Sequence, residues 1–191
     1  MNNIPDLLNE KTVFLFLFVI AGASNNAMIG TPLNDFVSFG LKNGYPEFRY
    51  DVGTGPAILI SPKPVTLGKW HTVRIDRDRK NGTLTLLDHN GNNESVVRGS
   101  VPDGRLQGLD LRGPLYLGSV PSDGGEPNSE LMMAVRQQTG LQKGFVGCVS
   151  RLVISGRVIK DISPVNIEQM VVQNIPQSAA LRVNTFKIII N

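Results

Sequence analysis

Residues 68–91 read GKWHTVRIDRDRKNGTLTLLDHNG, and this stretch decides the fold class. Behind Gly68 and Lys69 the run Trp70 to Arg77 alternates: His71, Val73 and Ile75 share one face, while Arg74 and Asp76 share the other. A period of two marks an extended strand with one buried side, because successive side chains leave a strand in opposite directions. Lys80-Asn81-Gly82 supplies a turn, Thr83 to Leu87 the returning strand, and Asn90-Gly91 its close.

Working outward, the same pattern recurs. Phe36 to Leu41 leads into the turn Lys42-Asn43-Gly44, after which Phe48 lies between Glu47 and Arg49 and is followed by Tyr50. Asp51-Val52-Gly53-Thr54-Gly55-Pro56 turns the chain again, and Ala57-Ile58-Leu59-Ile60 reads as a buried strand. Further strands are expected at Leu115 to Gly118, Gly144 to Val149, Arg151 to Ile154 and Val158-Ile159, the last two flanking a turn at Ser155-Gly156-Arg157. Ser129 to Thr139 is the one stretch that suits a helical turn, with Leu131, Met132 and Val135 as packing residues. Short strands joined by turns predict an all-β antiparallel sandwich or barrel from Asp35 to Ile162, with Phe48, Trp70, Val73, Ile75, Leu117 and Val149 in its core.

The 191 residues suffice for one domain with a sizeable core, or one domain with irregular ends. Charged residues at 18% and hydrophobic ones at 41% are those of an ordinary globular chain. A net charge of +3, spread along the chain with no nucleic-acid motif, argues against nucleic acid as a partner and permits an acidic polysaccharide or phospholipid surface. Cys148 is the sole cysteine, so no disulfide within the chain and no cysteine-rich metal site can form. The apolar run Val13 to Ala23 is too short to span a bilayer comfortably and has two readings, the core of a signal peptide or a buried strand. Two N-glycosylation sequons begin at Asn81 and Asn93, both in polar, turn-like surroundings.

Catalytic signals are weak. His71 lies on a strand among apolar neighbours and His89 in a turn, no Gly-x-Ser-x-Gly elbow is present, and Gly53-Thr54-Gly55 lacks the lysine of a phosphate loop. The nearest pair of carboxylates for glycoside chemistry is Glu47 and Asp51, with no sign of a shared cleft.

Five elements in order resemble a laminin G-like domain of the kind found in perlecan and agrin. They are Asp35-Phe36-Val37, Glu47 to Gly53, Gly68 to Val73, Gly113 to Gly118, and Gly144 to Val149 with Ile154 to Arg157. The resemblance implies a concanavalin-like jelly-roll sandwich and a non-catalytic, secreted, extracellular-matrix binding module. It also implies calcium at one rim, with Asp35 and Asp110 at the side-chain positions and Val52 and Gly108 at the carbonyl positions. Calcium suits such a set, being a hard cation that takes oxygen ligands from flexible loops. The basic residues Lys69, Arg74, Arg77, Arg79 and Lys80 are the candidates for binding heparin or other acidic glycans; their other reading is a solvated strand edge. Dystroglycan-like or integrin-like receptors are the implied partners, with no nucleic acid and no transmembrane span in the mature protein.

Against the family pattern, strands before Asp35 and a second cysteine after Cys148 are expected to be missing. The expected layout is a signal peptide or unrelated leader over 1–30, a partial laminin G-like domain over 31–177 and a divergent tail over 178–191, truncated at both ends. In a full-length form Cys148 would pair with a later cysteine. Alternatives are a concanavalin-like lectin or glycan-active enzyme, or a nonfunctional truncated gene product.

Overall fold

The computed structural model of the chain describes residues 14–21, 35–88, 90–109, 111, 115–118, 137–140, 143–145, 149–154, 157–159, 170–172 and 186–190. Within them the strands are β1 (Phe14–Ala21), β2 (Asp35–Lys42), β3 (Tyr45–Val52), β4 (Ala57–Ile60), β5 (His71–Asp78), β6 (Asn81–Leu87) and β7 (Asn93–Ser100). They continue as β8 (Leu115–Leu117), β9 (Lys143–Gly144), β10 (Val149–Ile154), β11 (Arg157–Ile159), β12 (Met170–Val172) and β13 (Phe186–Ile190). One sheet runs β12-β8-β1-β2-β3-β4 and the other β11-β10-β13-β5-β6-β7. Pairing is antiparallel apart from β9, which runs parallel to β1 beside Leu15 and Phe16.

The alternation read from residues 71–77 becomes the inner face of β5, with His71, Val73, Ile75 and Arg77 all buried. Facing them, the first sheet contributes Val37, Phe39, Leu41, Phe48, Tyr50 and Leu59, and β6 adds Leu84 and Leu86. Register explains why these meet. Phe39 pairs with Phe48, and Phe48 in turn with Leu59, so one row of large apolar side chains crosses three strands. Phe48 and Tyr50 then stack with ring centroids 5.0 Å apart. Burying each such side chain stabilises the sandwich by roughly 1.5–3 kcal/mol.

Trp70 departs from the expectation of burial, with 36% of its surface exposed. Its position has the parity of Thr72 and Arg74, on the outer side of β5, so strand geometry overrides side-chain size. The expected core position Val149 lies on β10, and its side chain is outside the described set.

Two hairpins show how local chemistry fixes register. Asn43 and Gly44 both take positive φ, 53° and 81°, as the two-residue turn between β2 and β3 requires. Between β5 and β6 the turn is Arg79-Lys80 rather than Lys80-Asn81-Gly82, with Arg79 at φ 54°. Gly82 instead lies within β6, opposite Arg77. A Cβ there would fall 2.6 Å from Cε1 of Tyr50, so the glycine makes room for that ring and not for a turn.

Of the two readings of the run at 13–23, the strand is the conformation found: Phe14–Ala21 lies between β2 and β8. The tail read as divergent likewise supplies a strand, Phe186–Ile190, hydrogen-bonded on one side to β10 and on the other to β5. The expected helical stretch is represented by one turn at residues 137–139, which lies over the outer face of β3 through Arg49 Nη1 donating to the Gln138 carbonyl at 3.2 Å. Residues 129–136 of that stretch are outside the described set. No helix among the described residues is long and apolar enough to cross a membrane.

Candidate functional site at one rim of the sandwich

Asp35 opens β2 directly opposite Val52, the last residue of β3. It shares strand parity with Val37, Phe39 and Leu41, so it belongs to the side of the sheet that faces the second layer, at the point where the core gives way to solvent. The chain just beyond Val52 is held by Asp51. Its Oδ1 accepts the backbone N–H groups of Gly53 at 2.7 Å, Thr54 at 3.0 Å and Gly55 at 3.0 Å. Three donors can converge on one oxygen because Gly53 and Gly55 take φ of 88° and 110°, left-handed values that glycine adopts without steric cost.

The loop after β7 closes over this turn. Val101 N–H donates to the Lys80 carbonyl at 3.1 Å, and the Thr54 hydroxyl donates to the Pro102 carbonyl at 3.3 Å. A Cβ on Gly104 would lie 2.5 Å from Cγ2 of Thr54, so the approach needs glycine. Arg77 Nη2 donates to the Gln107 carbonyl at 2.8 Å, and Leu109 is buried in the core. Gly108, between them in the chain, is exposed. Asp110, the fourth expected calcium ligand, lies outside the described residues. No cluster of three His, Cys, Asp or Glu suited to a metal occurs among the described residues. The expected donor set is different in kind, two carboxylates and two backbone carbonyls, and of it Asp35, Val52 and Gly108 lie among the described residues, all offering the oxygen donors a hard cation takes.

Arg77 sits behind the rim with 6% of its surface exposed, its guanidinium carbon 5.9 Å from the centre of the Tyr50 ring. Burial lowers its pKa, opposed by Tyr50, Asp35 and Asp78. Burial pushes the Tyr50 phenol up to about 12 against the pull of Arg77, and its hydroxyl donates to the Lys80 carbonyl at 2.6 Å.

The five basic residues adjacent in sequence do not form one patch. Lys69 precedes β5 at the far end of the sandwich, while Arg79 and Lys80 follow it at the rim. An eight-residue strand separates them by about 25 Å. Arg74 is exposed on the outer face and paired with Asp76 at 2.8 Å. Arg77 is buried and turned inward, so it cannot take a glycan with the others. The rim keeps Arg79 and Lys80, the latter 3.7 Å from Asp103, and gains Arg105, exposed on the closing loop. Nothing in the sequence marked Arg105, an isolated cation whose place depends on how that loop folds back.

Asn81 and Asn93 are both exposed, at opposite ends of the sandwich. The Ser95 hydroxyl of the second sequon is buried 2.7 Å from that of Ser61. His71 is also buried, its Nε2 accepting the Thr66 N–H at 2.9 Å. The carboxylates weighed for glycoside chemistry are both engaged and shielded. Glu47, 3% exposed, pairs with Arg49, and Asp51 is taken up by its three backbone donors. Cys148 and His89 lie outside the described residues.

With this geometry in place, comparison with known proteins settles the class. The laminin G domain family model matches residues 15–160, and the chain belongs to that family. The match begins within β1, so the apolar run falls inside the family's span, where the sequence had suggested missing strands. The chain is 42% identical over 125 residues to the mouse (Mus musculus) basement membrane-specific heparan sulfate proteoglycan core protein, covering 65% of this chain and 3% of that protein. It is 39% identical over 130 residues to human (Homo sapiens) pikachurin, covering 68% of this chain and 11% of the relative. The LG1-3 region of the laminin alpha2 chain superposes with a TM-score of 0.50 at 25% identity, over 61% of this chain and 21% of that one. The chain therefore spans only a small part of each of these relatives.

Proposed function

We propose that this chain is a non-catalytic extracellular-matrix binding module, one domain's worth of a longer basement-membrane or adhesion protein, that captures acidic glycans with the help of calcium. What supports the reading is the pairing of Asp35 with Val52 where β2 begins and β3 ends, the bond from Arg77 to the Gln107 carbonyl next to Gly108, and the cations Arg79, Lys80 and Arg105. Asp35 and Asp110 would supply carboxylate oxygens, and Val52 and Gly108 carbonyl oxygens. Calcium held by so few protein ligands keeps positions for water or for an acidic group of the partner. Arg79 and Arg105, exposed beside it, and the half-buried Lys80 would meet the remaining negative charge of a heparin-like chain or of a glycan-bearing receptor such as dystroglycan. Membership in a family whose relatives here include a heparan sulfate proteoglycan core protein supports an extracellular setting, in which Asn81 and Asn93 are open to glycosylation.

The enzymatic alternative loses its best residues, since Glu47 and Asp51 are committed to Arg49 and to the turn at 53–55. Calcium should raise the midpoint of thermal unfolding, by an amount that grows with the logarithm of its concentration above the dissociation constant. In Asp110→Ala that rise should largely disappear while the metal-free midpoint moves little. An unchanged midpoint in millimolar calcium, with the protein folded, contradicts the metal half of the proposal.

A further inference from the structure

Parity leaves Trp70 on the outer side of β5, and the loop that leads to it, residues 61–70, is fastened at its base and bare at its tip. Ser61 is buried, its N–H donating to the Pro46 carbonyl at 2.8 Å and its hydroxyl to the Lys63 carbonyl at 2.8 Å. Val65 N–H donates to the Gly44 carbonyl at 2.8 Å, and Thr66 N–H to Nε2 of the buried His71 at 2.9 Å. Pro62 and Pro64 fix two φ angles besides. Beyond these fastenings the chain makes one turn, Lys69 N–H donating to the Thr66 carbonyl at 3.4 Å with Gly68 at φ 74°. The turn stands clear of the sandwich, since a Cβ on Gly68 would meet nothing within 4 Å. At its corner Leu67 is 71% exposed, and Trp70 follows at 36%. A pinned turn cannot fold these apolar groups down out of water, so they remain on offer to a partner.

The surroundings carry one sign of charge. Lys63 and Lys69 are both exposed, and neither makes an ion pair among the described residues. From Val52 to Ile75 the sequence holds no Asp or Glu. On the neighbouring turn between β6 and β7, the Asp88 carboxylate is directed into its own turn, accepting the N–H groups of Asn90 and Asn92 at 2.8 Å each. We infer that residues 61–70 are a docking loop for an anionic phospholipid bilayer. Leu67 and Trp70 enter the headgroup layer while Lys63 and Lys69 meet lipid phosphates and carboxylates. Shape selects this partner: a protein partner would need a fitted pocket for a convex knob, whereas a fluid bilayer accepts one anywhere. Tryptophan suits the boundary between headgroups and acyl chains, and lysine stems lie along apolar surface while their charged ends reach outward. The loop is at the end of β5 opposite Arg79 and Lys80, so it acts independently of calcium and of glycan capture there.

Trp70 is the only tryptophan of the chain, so its fluorescence reads this loop alone. The 191-residue chain, produced in bacteria so that Asn93 at the same end bears no glycan, is titrated at low salt without calcium. One series uses vesicles of phosphatidylcholine mixed with phosphatidylserine, the other vesicles of phosphatidylcholine alone. Emission should move to shorter wavelength with the anionic vesicles, be quenched when their acyl chains are brominated, and stay put with the neutral ones. Partitioning should fall roughly fivefold for each of Lys63→Ser and Lys69→Ser. Leu67→Asp should abolish the shift, while Arg105→Ser, which removes a like charge elsewhere, should leave it unchanged. All four positions are exposed, and circular dichroism verifies that each variant is folded. Should a variant not fold, quenching of the parent protein by the brominated vesicles decides the matter. Emission unmoved and unquenched by anionic vesicles, or a shift retained in Leu67→Asp, overturns the inference. So does a shift that appears on raising the protein concentration with no lipid present, which assigns the loop to contact between copies of the chain.

Discussion

A chain trimmed to residues 31–177 should show no cooperative thermal transition and only a weak near-ultraviolet circular dichroism signal, where the 191-residue chain shows both. Those bounds are what the sequence suggests for the domain, yet they delete two internal strands. β1 joins β2 to β8 in one sheet, and β13 joins β5 to β10 in the other. Cutting both away opens four strand edges. Strands of this kind outweigh the net stability of a domain, which is only about 5–15 kcal/mol. Two shorter cuts separate the contributions: removing residues 1–24 and removing residues 179–191 should each lower the midpoint steeply. A 31–177 fragment that unfolds cooperatively at the parent temperature would show that neither strand belongs to the stable fold.

Arg49→Met should destabilise the domain by roughly 3–5 kcal/mol, because it strands the Glu47 carboxylate in a place from which water is excluded. Glu47 is 3% exposed, and its Oε2 has no hydrogen-bond partner among the described residues, so Arg49 on its Oε1 is its main compensation. Arg49 also donates to the Gln138 carbonyl, and its loss frees the helical turn at residues 137–139 from the outer face of β3. The double substitution Glu47→Gln with Arg49→Met should recover most of the loss, since the cost lies in the unpaired charge and not in the absence of the pair. Equilibrium urea unfolding of the three variants measures this directly. A single variant as stable as the parent, or a double variant no better than the single, contradicts it.

The core was legible wherever alternation was allowed to speak alone. Val73 and Ile75 face inward and Arg74 outward, as the period of two requires. The same rule, carried one step each way, puts Trp70 outside and Arg77 inside. Both were misjudged because side-chain character was weighed above parity: a tryptophan was assigned to the core and an arginine to the surface. The apolar run at 14–21 could not be resolved locally, since a signal core and a strand buried on both faces are both short uninterrupted apolar stretches. β13 was missed because its partners, β5 and β10, are distant in sequence, and five residues carry little pattern of their own. At the rim, Asp35 and Val52 could be placed by resemblance, and strand register pairs them. The arrival of Arg105 at the rim depends on the path of the loop after β7, which no short-range signal encodes.

Retention on immobilised heparin at graded salt, in calcium and in chelator, tests the central claim most directly. The 191-residue chain should bind in calcium and elute at clearly lower salt in chelator, because the metal contributes positive charge at the rim. Replacing Arg79, Lys80 and Arg105 with serine should lower the elution point in both conditions, whereas Lys69→Ser, at the far end, should leave it in place. Failure of the parent protein to bind at low salt, or elution unaffected by both calcium and the triple substitution, would contradict the assignment of this rim as a glycan-binding surface.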